Sequence, residues 1–223
     1  MKRKILVWII RRLMALLTRR DIRGLENVPL TGGYILAPNH LSMLDPPLIA
    51  TQVQRNDLTA MAAHKHRENP FLRWIIEAMN GIWLNREEAD SQAIRAAIEY
   101  LRGGGMLGIA PEGTRSRSGV LLEGKNGVAY LADKAGVPVI PVALWGTEIG
   151  FAEIKRLRRP LLHMRVGKPL VFPPVARRER DVALQRNTDE LMCQIAAMLP
   201  EAYHGAYAGH PRIREIIEQQ AVS

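Results

Sequence analysis

Two short stretches carry the residue types from which acid–base chemistry could be assembled. In APNHLSMLDPP, His40 stands five residues before Asp45, and Pro46 and Pro47 follow directly. Pro46 disfavours helical backbone at Asp45, so Asp45 is expected to be extended and to cap a helix whose first residue is Pro46. The chain must then turn between His40 and Asp45, and a turn closed by that cap can bring the carboxylate back to one imidazole nitrogen. A carboxylate there fixes the tautomer and stabilises the imidazolium, leaving the other nitrogen to take a hydroxyl proton near neutral pH. These are two parts of a serine-hydrolase triad without the serine, because Ser42, Ser116 and Ser118 lack the G-x-S-x-G elbow. The attacking hydroxyl can then belong to the substrate, which makes the reaction a direct group transfer.

The second stretch is IAPEGTRSRSG. Pro111 and Gly113 shape a tight turn whose amides can face an anion, and Arg115 can grip a phosphate with two donors. Arg117 and Lys125 add positive potential nearby. Glu112 in the same turn would repel an anionic ligand, so it is expected to hold Arg115 or a loop amide, or to bind a substrate hydroxyl. Lys65, in AAHKHREN, and Arg86, after GIWLN, are further cations at strand ends. His64 and His66 form a His-x-His pair without the additional ligands a metal hydrolase needs, and no metal site is expected.

The elements that must position these loops alternate. GYILAP, DLTAMAAH, GIWLN, MLGIAPEGT, VPVIPVALW and LHMRVGKPLVF read as strands. Helices are expected from Pro46, over NPFLRWIIEAM, over DSQAIRAAIEYL and over NGVAYLADKAG. Two more helices follow, one capped near Thr188 and one beginning at Pro211. Strands separated by helices imply an α/β fold with a largely parallel or mixed central sheet covered by helices. No internal repeat or linker marks a second domain. Residues 1–22 are therefore read as an amphipathic surface helix and residues 23–223 as one domain.

The opening stretch MKRKILVWIIRRLMALLTRR has no acidic residue, and Arg11 and Arg12 split its apolar run. Two arginines at the centre of a spanning helix would cost ~2.5–3.5 kcal/mol each, and the segment lacks the cleavage pattern of a signal peptide. On a helix, Ile5, Leu6, Ile9, Leu13, Leu16 and Leu17 share one face, while Lys4, Arg11, Arg12 and Arg19 gather on the other beside Trp8. Such a helix can lie in a bilayer interface with its basic face on anionic headgroups, at ~1 kcal/mol per Lys or Arg.

Composition agrees with these expectations. The 223 residues are 47% hydrophobic and 24% charged, which excludes a disordered or low-complexity chain. A net charge of +9 favours anionic partners, while 5% aromatic residues and the absence of a reader motif argue against nucleic acid. The single cysteine, Cys193, cannot form an intramolecular disulfide, which fits a reducing compartment.

Four blocks in order resemble those of the glycerolipid acyltransferase family, typified by bacterial 1-acylglycerol-3-phosphate acyltransferase. NHLSMLD is similar to the family's NHxxxxD box, which implies His40 as the base and Asp45 as its orienting partner. GIWLNR is similar to the second block, placing Arg86 on the arginine associated with the acceptor. APEGTRS resembles FPEGTRS, and VPVIPVAL resembles a hydrophobic fourth block near the acyl chain, here around Pro138 and Pro141. The resemblance implies that Asn39, Lys65, Arg86, Glu112, Gly113, Thr114 and Arg115 bind the acceptor. It further implies acyl transfer from an acyl-CoA or acyl-carrier protein to a lysophospholipid, with neither metal nor cofactor, at the cytoplasmic face of the membrane and peripheral or monotopic to it. Ala110 in place of the usual Phe, and Asn85 in place of the common Asp, depart from the pattern at positions that bear on acceptor identity.

Overall fold

The structure, a computed structural model, describes residues 2–85 and 90–222. In chain order the elements are helix α1 (Lys2–Leu17), strand β1 (Arg19–Arg23), β2 (Tyr34–Pro38), α2 (Asp45–Gln52), β3 (Thr59–Ala63) and α3 (Pro70–Ala78). Next come β4 (Ile82–Leu84), α4 (Ser91–Arg102), β5 (Met106–Gly108), α5 (Gly127–Ala135) and β6 (Val139–Trp145). The chain ends with α6 (Gly150–Lys155), β7 (Leu161–Val166), α7 (Arg180–Ala197) and α8 (Pro211–Val222). The strands form one mixed seven-stranded sheet in the order β1-β7-β6-β2-β5-β3-β4. All adjacent pairs are parallel except β6 and β7, so β1 and β7 run against the other five strands.

The central strands are apolar at nearly every position because both of their faces are covered. Ile35, Ala37, Val139 and Ala143 point to one side, where they pack under α4, α5, α7 and α8 through Leu101, Leu131, Leu191 and Ile216. Leu36, Ile140, Val142 and Leu144 point to the other side and meet Met14 of α1 and Leu48 and Ile49 of α2. The alternation inside each strand fixes its register, because a slip of one residue would exchange the two sets.

Four segments differ from the sequence reading. Residues 19–23 form an edge strand, β1, paired with β7 from Arg19–Leu161 to Arg23–Arg165, so the amino-terminal helix stops at Leu17. Of the expected apolar face only Leu6 is buried, while Ile5, Ile9, Leu13, Leu16 and Leu17 stay exposed; the helix is seated on the domain instead through Leu6, Met14 and the buried Thr18 that follows it. Thr18 donates to Met14 O at 2.6 Å, and Arg159 ties the helix end to the sheet through Ala15 O at 2.8 Å. Thr188 does not cap a helix. It lies buried inside the 18-residue α7 and donates to Leu184 O and Asn126 Oδ1. The short α6 was not foreseen, and it seats its first residue, Gly150, so closely on Leu44 that a Cβ there would stand 2.4 Å from Leu44 Cδ1.

At the opposite edge of the sheet from the two motif loops, one buried cation fastens three loops. The Arg55 side chain is 2% exposed and donates to Gly32 O, Pro29 O and Gly104 O while pairing with Asp57. Arg55→Ala strips donors from these carbonyls, each loss costing ~1–3 kcal/mol where the acceptor is out of water. The expected result is a destabilisation of about 2–4 kcal/mol, seen in urea unfolding as a lower midpoint, with Arg55→Lys in between because a single ammonium cannot reproduce the fork.

Candidate active site

His40 leaves β2 at its carboxyl-terminal end, and α2 begins at Asp45, so the dyad is built by one short turn at the strand-end edge where α/β folds place their ligands. His40 Nδ1 lies 2.8 Å from Asp45 Oδ2. The same oxygen accepts from the backbone N–H groups of Leu41 and Ser42, both at 2.7 Å. Asp45 is 2% exposed and His40 24% exposed at the side chain, so the carboxylate is sealed in and the ring reaches solvent. Among the described residues nothing hydrogen-bonds His40 Nε2, and no serine, threonine or cysteine bonds the ring.

Asp45 departs from the expected capping role. Leu44 is the residue flanking α2, and Asp45 is the first helical residue, with proline following it in the first turn. Its carboxylate faces backward to Leu41 and Ser42, and Ser42 Oγ accepts from Leu44 N–H at 3.2 Å. Three donors converging on one charged oxygen, each worth ~1.5–3 kcal/mol, outweigh the extended bias that Pro46 imposes.

The second motif loop leaves β5, the strand next to β2, and brackets His40 by its backbone. Glu112 Oε1 accepts from His40 N–H at 2.9 Å, and Ser116 N–H donates to His40 O at 2.8 Å. Glu112 Oε2 accepts from Leu122 N–H at 2.9 Å. With 1% exposure and both oxygens on main-chain amides, Glu112 acts as a strut, the loop-amide alternative among its expected roles. Asn39 is likewise turned to backbone. It is 1% exposed, donates to Leu144 O at 2.9 Å and accepts from Leu144 N–H at 2.7 Å, which clips the dyad turn to β6. A polar residue beside such a histidine reads the same in sequence whether it binds ligand or backbone, and the signal that separates them is the neighbouring strand, which is not local.

Thr114 and Arg115 are exposed at the head of the same turn, and neither has a hydrogen-bond partner among the described residues. Gly113 supplies the left-handed backbone of the turn at φ 68°, and a Cβ there would meet Lys125 Cδ at 3.0 Å. Lys125 thus lies along the motif turn, with its amide bonded to Pro111 O at 2.8 Å. Lys65 is exposed in the 3₁₀ turn His64–Glu68 that follows β3, two strands from β2. Arg86 lies outside the described residues. The VPVIPVAL block is the buried strand β6, where Val139 to Leu144 are core and Leu144 holds Asn39.

An acyltransferase family model matches residues 19–145, more than half of the chain and all four blocks. The chain belongs to the acyltransferase family. A protein of Borreliella burgdorferi named 1-acyl-sn-glycerol-3-phosphate acyltransferase is 34% identical over 128 residues, 56% of this chain and 51% of that protein. One of the same name from Bacillus subtilis is 26% identical over 145 residues, 65% of this chain and 70% of its own length. The matched segment thus spans about half of the Borreliella relative. The crystal structure of the 1-acyl-sn-glycerophosphate (LPA) acyltransferase, PlsC, from Thermotoga maritima is similar at a TM-score of 0.61 and 30% identity, over 85% of this chain and 80% of that one.

In the motif turn, burial pushes the Glu112 carboxyl up to about 7, against the pull of the Leu122 and His40 amides; His40 and Asp45 are the charged groups that act on it. Because the folded chain holds this proton up to a higher pH than the unfolded chain, stability falls as pH rises from the ordinary value of 4.5 to about 7 and is level above that. The shift corresponds to roughly 3 kcal/mol. Glu112→Gln, which does not titrate, should flatten this part of the unfolding free energy against pH by about that amount; an equally steep slope in the variant would assign the dependence to other groups.

Proposed function

We propose that this chain transfers a fatty acyl group from an acyl thioester to the free hydroxyl of a lysophospholipid, with 1-acylglycerol-3-phosphate as the acceptor and phosphatidic acid as the product. The observation that carries this reading is the partly exposed His40 ring, held by Asp45 at 2.8 Å with no side-chain nucleophile on it among the described residues. The names of the relatives support the same chemistry.

In this reading His40 Nε2 takes the acceptor hydroxyl proton as the oxygen attacks the thioester carbonyl. The C–O bond forms, the carbonyl π electrons move to oxygen, and a tetrahedral oxyanion results. Its collapse breaks the C–S bond, and the imidazolium returns the proton to the departing sulfur, giving ester and free thiol with the base restored. Asp45 steadies the cation between these steps, and its bond to Nδ1 fixes which nitrogen faces the substrate. Arg115 and Thr114, free at the head of the Gly113 turn, hold the acceptor phosphate with Arg86 and Lys65, so that binding energy goes into orientation. The thioester is a substrate, and the net charge of +9 favours the phosphates of coenzyme A or an acidic carrier protein as its source.

The exposed arcs of α1 support peripheral binding to the cytoplasmic leaflet. Ile5, Ile9 and Leu16 stay in solvent after Leu6 and Met14 have packed on the domain. Lys4 and Arg11 have no carboxylate partner among the described residues, and Arg12 stacks over Trp8 at 5.4 Å. No helix of the described residues is long and apolar enough to cross a membrane.

Purified protein given a panel of lysolipids with acyl-CoA or acyl-carrier protein should release free thiol and form phosphatidic acid from 1-acylglycerol-3-phosphate. Loss of the base in His40→Ala should lower kcat by about 10²–10⁴. Arg115→Ala should raise KM for the phosphorylated acceptor by about 10- to 100-fold, the worth of one charge-assisted contact, with a smaller change in kcat. An active His40→Ala enzyme would remove the dyad from the mechanism, and an unchanged acceptor response in Arg115→Ala would remove that residue from the phosphate site.

A further inference from the structure

The solvent-exposed large apolar side chains are unevenly distributed. On the α7 and α8 side Val182 and Ile217 stand out, and Leu30 and Val171 are exposed in loops, whereas the α1 side exposes apolar residues on α1, on α3 and around α6. In α3, nine residues long with the sequence PFLRWIIEA, no residue is buried; Phe71 is 67% exposed and Trp74 51%. At the start of α6, Ile149 is 54% exposed and Phe151 49%. A helix that exposes its apolar stripe in this way lacks the partner that such a stripe requires.

The topology sets these residues around the dyad. β2, β3, β5 and β6 are parallel, so their carboxyl ends share one edge of the sheet. His40 follows β2 there, α3 follows β3 and α6 follows β6. At ~4.8 Å per strand, β6 lies one strand to one side of β2 and β3 two strands to the other. Both helices lie on the α1 side: α3 touches α1, and Ile154 of α6 packs into the cluster that contains Met14. Gly150 rests directly on Leu44, the residue before Asp45.

We propose that Phe71 and Trp74 on one flank, and Ile149 and Phe151 on the other, form two apolar lips that enter an anionic bilayer on either side of the His40 turn. A lipid acceptor in that leaflet then reaches the dyad from between the lips. The occupant is a bilayer and not a protein because the apolar residues are dispersed over separate elements and framed by cations. Lys4, Arg11, Arg12 and Lys155 are exposed on α1 and α6 with no carboxylate partner among the described residues, which complements anionic headgroups, while Arg73 and Arg156 pair with Glu77 and Glu153. This inference rests on the lipid-acyltransferase reading for its purpose, and on exposure and topology for its surface.

The test uses the full chain, sedimented with phosphatidylcholine–phosphatidylglycerol vesicles. The double variants Phe71→Ser with Trp74→Ser, and Ile149→Ser with Phe151→Ser, should each lower the vesicle partition coefficient by about tenfold. Acyl transfer to a short-chain, monomeric lysophosphatidate should stay within about twofold of wild type, while transfer to the vesicle-borne acceptor loses apparent affinity in step with binding. Val182→Ser with Ile217→Ser, on the opposite face, should leave partition unchanged. Undiminished partition in both lip variants overturns the proposal, as does an equal fall in the opposite-face control or parallel loss on the monomeric substrate. A wild-type chain that binds vesicles through the lips yet transfers no acyl group would overturn the catalytic reading and leave the surface standing.

Discussion

One carboxylate oxygen organises the reactive end of this fold. Asp45 Oδ2 gathers the His40 ring and the N–H groups of Leu41 and Ser42 within 2.8 Å. The two amide bonds fix the turn and the third bond fixes the imidazole, so the residue that orients the ring also folds the loop that carries it. Asp45 Oδ1, buried, has no partner among the described residues. Leaving one oxygen bare costs ~1–3 kcal/mol, and the concentration of donors on the other more than offsets it. Any displacement of Asp45 therefore disturbs the ring and its backbone together.

His40 is fixed from both neighbouring strands as well. In the order β6-β2-β5, the strand that delivers His40 sits between the two strands that deliver its supports. From β5 come Glu112, which takes the His40 N–H, and Ser116, which donates to the His40 carbonyl. From β6 comes the Leu144 backbone, clasped on both sides by Asn39. Blocks separated by some 70 to 100 residues are thus neighbours through hydrogen bonds between side chains and main chain. The turn that presents Arg115 to solvent is the turn that braces His40, so under the proposed function acceptor grip and base position share one piece of backbone. Such sharing keeps reacting groups in register, since a small misplacement of either would cost much of the rate.

The meeting of His40 and Asp45 was legible from the sequence because they are five apart across a strand end, but the turn is closed by the Leu41 and Ser42 amides on Asp45 and not by an extended Asp45 before Pro46. The alternation of strands and helices was legible because the central strands are apolar at almost every position. Residues whose partners are distant were not. Glu112 could be read as holding a loop amide or binding the acceptor, and Asn39 as binding the acceptor, and only the strand order shows that their partners are Leu122, His40 and Leu144. RRDIR carries a single apolar residue and no strand period, so β1 is specified by its pairing with β7. Arg55, in a stretch that reads as an ordinary loop, owes its role to carbonyls from Pro29, Gly32 and Gly104, far apart in the chain. In α7 the Thr188 hydroxyl is satisfied by Leu184 O inside the helix, so a residue type that favours caps carries no cap here.

The way α1 packs has a consequence for any surface the chain binds. A helix joined to its domain by a slack linker would hold the domain near a bilayer without orienting it. Here Leu6, Met14 and Thr18 are buried in the domain, Arg159 bonds the last turn, and β1 follows within two residues as an edge strand of the sheet. To leave the domain, the helix would have to uncover Met14 and its neighbours in the apolar cluster, with a loss of ~1.5–3 kcal/mol for each large side chain exposed. The face that remains outside, with Ile5, Ile9 and Leu16, is therefore fixed relative to the sheet, and the edge that carries His40 is fixed with it. A bilayer that accepted this face would set the angle at which the dyad meets the lipid headgroups, so that for this chain docking and substrate presentation become one geometric constraint.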